Sequence, residues 1–104
     1  MKVQIIERTQ LELKGKRKTG QPPLYQVVML NDDFTPMDFV VQVLILVFNQ
    51  DEVRAQNLML EIHHCGQAIC GIYPREVAEM KVTEVLKMAR DKEHPLRCFF
   101  ELAI

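Results

Sequence analysis

The sequence predicts an α+β fold: a small β-α-α-β-α-β domain in which three helices pack on a mainly antiparallel three-stranded sheet, with a flexible N-terminal arm. Three observations lead there. Runs rich in β-branched and aromatic residues alternate with apolar stripes at helical spacing, turn formers and glycines separate them, and 104 residues suffice for one core but not two.

The elements follow in order. Residues 1–21 read as the arm and 22–104 as the core domain, because Lys14-Gly15-Lys16-Arg17-Lys18 is basic and Pro22-Pro23 breaks the chain after it. The opening Val3-Gln4-Ile5-Ile6 is apolar enough to dock, so the arm's order stays open. Residues 25–30 form a strand that Asn31-Asp32-Asp33 ends in a turn. Thr35 fits the N-cap of a helix over 36–48, with Pro36 at its first position, Asp38 near its positive end and Met37, Val40, Val41, Leu44 and Phe48 as its stripe. Asp51 caps a second helix in which Ala55, Leu58, Met59 and Ile62 share a face and His63 lies one turn past Met59, and Gly66 stops it. A short strand over 67–73 leads through Pro74 to a third helix, whose stripe is Ala78, Val82, Val85, Leu86 and Ala89. His94-Pro95 closes that region, and residues 97–102 read as the last strand. Helices on one face of a small sheet are the economical way to bury these stripes.

Composition excludes several classes. A formal net charge of −1 gives no call for nucleic acid, a membrane surface or disorder. No apolar run approaches the ~18 residues of a spanning helix, and the N-terminus lacks the apolar stretch of a signal peptide, so the expected location is cytoplasmic. Cys65, Cys70 and Cys98 are odd in number and form no Cys-x-x-Cys, which suits reduced, largely buried thiols. Gly15-Lys16 lacks the earlier glycine and the following hydroxyl residue of a phosphate loop.

Two places carry candidate chemistry. The run Asn31-Asp32-Asp33-Phe34-Thr35-Pro36-Met37 sets three polar acceptors beside an apolar helix face; it suits holding a cation next to an apolar pocket, and it equally suits ordinary strand-turn-helix grammar. His63-His64-Cys65 invites a metal, but adjacent helical histidines diverge by about 100°, and a histidine at a helix C-terminus is also favoured by the dipole alone. No nucleophile-base pattern compels an enzyme. The basic cluster in the arm leaves a solubilising linker, a partner contact or a nucleic acid contact open.

Four motifs in order narrow the field: Asn-Asp-Asp-Phe-Thr-Pro-Met at 31–37, Leu-Met-Leu-Glu-Ile-His at 58–63, Gly-Gln-Ala-Ile-Cys-Gly at 66–71 and Glu-His-Pro-Leu at 93–96. Together they resemble the ClpS family of adaptors for the ClpAP protease, over everything from about Leu24 onward. The resemblance implies an adaptor of the N-end rule, without catalytic residues, metal or cofactor. It would bind N-degrons, the free N-termini of proteins beginning with Phe, Leu, Trp or Tyr, and deliver them as a monomer to the N-terminal domain of the ClpA unfoldase.

Matched residue by residue, Asn31, Asp33 and His63 would surround the substrate's α-amino group and Asp32 would bond the peptide further along. Thr35, Met37, Val40, Met59 and Leu96 would make the side-chain pocket, with Met29 on its floor, and Glu76 and Lys81 would face the unfoldase. An arm of about 20 residues reaches at most roughly 70 Å, enough to engage the unfoldase from a docked core. The alternative class is a ribosome- or nucleic-acid-associated α+β module, whose binding would fall steeply with salt.

Overall fold

The computed structural model describes residues 21–103; apart from Gln21, the arm expected over 1–21 lies outside the described residues. The order is β1 (Leu24–Leu30), α1 (Met37–Phe48), α2 (Glu52–Cys65), β2 (Gln67–Pro74), α3 (Arg75–Asp91) and β3 (Arg97–Leu102). Strand β1 is central, with β2 and β3 antiparallel on either side. The three helices cover one face, where Val27 and Met29 of β1 meet Val43 and Leu44 of α1, Ala55 and Ile62 of α2, and Val85 and Ala89 of α3. The sheet's second face carries a cross-strand row in which Val28 lies between Ile69 and Phe99.

Strand β2 departs from simple alternation. Val27 pairs with Gly71 but Val28 with Ile69, so Cys70 is the extra residue of a bulge. The residues on the bulge's two sides therefore keep separate alternations: Ala68 and Cys70 are buried, and beyond the bulge Ile72 is exposed while Tyr73 packs on the core. Position 71 must be small because the Tyr73 ring lies over it, where a Cβ would collide with the ring's hydroxyl end.

The thiols divide two to one. Cys70 and Cys98 are buried, in line with the expectation of largely buried thiols, and Cys65 at the end of α2 is the exposed exception. Burial pushes both inner thiols up to about 12, with the neighbouring Cys98 adding to the effect on Cys70. A thiol reagent at about pH 8 should modify one cysteine per native chain quickly and the other two only on unfolding; three fast thiols would contradict this burial.

Helix α1 has no basic residue in its own last turn, and α3 supplies one. The Lys81 ammonium donates to the Val47 carbonyl at 2.8 Å and lies 5.6 Å from the centre of the Tyr73 ring. Lys81→Met should destabilise the domain by about 1–2 kcal/mol, since a partly buried carbonyl loses a charged donor. Chemical denaturation with unchanged stability would refute this capping role.

Candidate functional site

The turn after β1 owes its shape to Asp32. Its Oδ2 accepts the Phe34 N–H at 3.1 Å and the Thr35 hydroxyl at 2.8 Å, and its backbone carbonyl accepts the Thr35 N–H at 3.2 Å. Thr35 is buried with its hydroxyl satisfied in this way, and it does not cap the helix. Pro36 takes the N-cap position instead, with φ −63° and ψ 143°, and its carbonyl accepts from Phe39 and Val40. The reason is local: Pro36 is itself extended, so the helix begins one residue later than expected, and the Thr35 hydroxyl donates to Asp32.

The second wall is the end of α2. Asp51 caps its start by accepting the Arg54 N–H at 2.8 Å, as expected, and Gly66 ends it at φ 93°. The Gly66 N–H returns to the Ile62 carbonyl, while the Gly66 carbonyl accepts the Asn31 N–H, both at 2.9 Å. One glycine thus fixes the turn bearing Asn31 against the helix end bearing His63.

Between these walls lies a cavity of about 270 Å³. Asn31, Asp32 and Asp33 line its polar side, with His63 from α2. Thr35, Pro36, Met37 and Val40 line it from the start of α1, and Met59 and Ile62 from α2, with Leu30 at the strand end. Val40, Met59 and Ile62 are buried, whereas Met37 is 45% exposed and stands at the rim. The volume sits just below the usual range for drug-sized ligands and suits one large side chain.

The polar side is rich in acceptors. The Asn31 amide donates to Asp33 Oδ1 at 3.4 Å, which leaves its own carbonyl oxygen free to accept. Among the described residues no Lys or Arg lines the cavity, so two adjacent carboxylates there lack a cationic partner from that part of its wall. Among the described residues no hydrogen bond engages the His63 ring, whose near neighbour is His64, edge-on at 5.1 Å between centroids. An incoming ammonium would find charge, acceptors and an apolar floor within one small volume.

Of the ten residues expected around the peptide's N-terminus, eight converge here and two, Met29 and Leu96, do not. Met29 is fully buried in the core and does not line the cavity. Leu96 belongs to the same core cluster as Val40 and Met59, but the hollow it lines is a separate shallow one beside His94 and Pro95. Glu76 lies exposed in the first turn of α3, and the Lys81 ammonium is turned to Val47. Leu30, Pro36 and Ile62 are lining residues the sequence reading missed, although Ile62 shares the Met59 face.

The sequence model of the family described as "ATP-dependent Clp protease adaptor protein ClpS" matches residues 20–99. A ClpS adapter protein of Shewanella piezotolerans is 49% identical over 98 residues, covering 94% of each chain. One from Hydrogenovibrio crunogenus is 55% identical over 88 residues, covering 85% of each. Among solved structures, Agrobacterium tumefaciens ClpS2 bound to L-phenylalaninamide superposes with a TM-score of 0.77 at 35% identity, covering 79% of this chain and 99% of that one.

Proposed function

This chain belongs to the ClpS family of ATP-dependent Clp protease adaptors, and from that premise we propose that it binds N-degrons in the β1–α1–α2 cavity and delivers them to the ClpA unfoldase of ClpAP. The observation that carries the reading is the cavity's pairing of Asn31, Asp33 and His63 with the apolar Val40, Met59 and Ile62. A free α-amine, with a pKa near ~7.7–8.0, is mostly an ammonium at neutral pH and offers three donors. Those three polar residues supply acceptors for them, and Asp32 accepts from the peptide further along. The first side chain enters the apolar part, where burial of Phe, Leu, Trp or Tyr contributes about 1.5–3 kcal/mol and a charged side chain has no partner.

The phenylalaninamide held by the Agrobacterium relative supports this reading, since that ligand joins a free amine to a benzyl group. Met29 and Leu96 act from behind the cavity wall in this proposal, holding the core on which Val40 and Met59 rest. Glu76 and the outer face of α3 meet the unfoldase's N-terminal domain, the arm engages the unfoldase, and the adaptor works as a cytoplasmic monomer. The test is a titration of fluorescent peptides beginning with free Phe or with Ile, followed by degradation assays with ClpAP. Saturable binding of the Phe peptide and adaptor-dependent degradation are expected. Equal binding of both peptides, or none, refutes the pocket; binding without delivery refutes the second half alone.

A further inference from the structure

Phe34 sits between two residues that line the cavity, yet it is 81% exposed, more than any other large apolar side chain among the described residues. A turn tip is ordinarily polar, so a phenyl ring held in water there calls for a use. Its position is fixed. The Phe34 N–H is bound to Asp32 Oδ2, and the Thr35 N–H and hydroxyl both return to Asp32, so the ring projects from a tip closed by three hydrogen bonds. Exposed Pro36 and half-exposed Met37 follow it in sequence and both line the cavity, so the apolar rim continues beyond the pocket.

A peptide with its first side chain in the cavity leaves over this rim. In an extended chain successive side chains alternate in direction, and residues two apart lie about 6.6–7 Å from each other on one side. The third side chain would therefore point to the protein surface on the same side as the first, and an exit over the exposed turn tip would set it against Phe34. Resting on the N-degron reading above, we propose that Phe34 is a specificity-determining residue that favours substrates with an aromatic or branched aliphatic third residue.

The experiment compares three free peptides in fluorescence anisotropy: Phe-Ser-Ser, Phe-Leu-Ser and Phe-Ser-Leu, each with the same polar tail. Wild type should bind Phe-Ser-Leu roughly three- to tenfold more tightly than Phe-Ser-Ser, the range expected for an apolar contact with a ring. Phe34→Ser should remove that difference and leave Phe-Ser-Ser affinity unchanged, because the turn's bonds are made by backbone and by Asp32. Phe34→Leu should retain part of it. Equal affinities for all three peptides in wild type, a preference confined to the second position, or a third-position preference that survives Phe34→Ser would each overturn the proposal while leaving the pocket intact. No binding of any peptide would overturn the pocket reading, and this proposal with it.

Discussion

Asp33→Ala is expected to weaken binding of a Phe-initiated peptide by at least ~30-fold, since truncating one partner of a buried, hydrogen-bonded charge pair costs about 2–5 kcal/mol. Asp33 is exposed in the free protein, and the hydrogen bond its side chain makes among the described residues is the 3.4 Å one from Asn31. Its removal should therefore change folding stability by less than ~0.5 kcal/mol. The loss would arise on binding, when the ammonium covers the carboxylate and water leaves. N-acetylation of the peptide removes the same charge from the other side. In wild type it should be as damaging as the mutation, and in Asp33→Ala it should add much less than it does in wild type. Titrating both peptides into both proteins measures the coupling. Independent, additive losses would show that Asp33 does not face the amine.

We propose that Met37 excludes β-branched N-termini, so Met37→Ala should relax that exclusion and improve binding of an Ile-initiated peptide by roughly tenfold or more. Met37 is the first residue of α1 and stands at the cavity rim, half exposed, above the buried Val40 and Met59. A side chain entering past it must be narrow at its β-carbon. Phe and Leu branch one atom later, whereas Val and Ile carry two heavy atoms on the β-carbon and are stiff at χ1, so they cannot turn aside. Loss of the Met37 side chain should cost a Phe-initiated peptide about 1 kcal/mol of contact while opening the rim to Ile. Continued rejection of Ile by the variant, with Phe binding retained, would place the β-carbon filter elsewhere.

The element order, the caps of α2 and the span of β3 are legible in the sequence because local chemistry decides them: Asp51 and Gly66 act on the nearest backbone groups, and Arg97–Leu102 lies between strong breaks. The start of α1 is less so. Thr35 and Pro36 look like a cap and a first residue until Asp32, three positions back, takes the hydroxyl. The bulge at Cys70 is invisible in β2's own sequence because it is defined by the pairing with Val27 and Val28. Asn31, Asp32 and Asp33 are contiguous, so that stretch of the polar side shows as a motif, whereas His63, Met37, Val40 and Met59 were grouped with it only through the family resemblance. Met29 and Leu96 show the limit of a pattern, which groups them with the pocket although Met29 lies in the core and Leu96 at a separate hollow.

The bond from Lys81 to Val47 spans 34 positions and joins the third helix to the far end of the helix that opens the pocket. Lost delivery alone in Lys81 variants would not tell a frayed first helix from a missing contact with the unfoldase. Separating the two requires a substitution that keeps the tether, such as Lys81→Arg, beside one that cuts it, with folding stability and peptide affinity recorded for both.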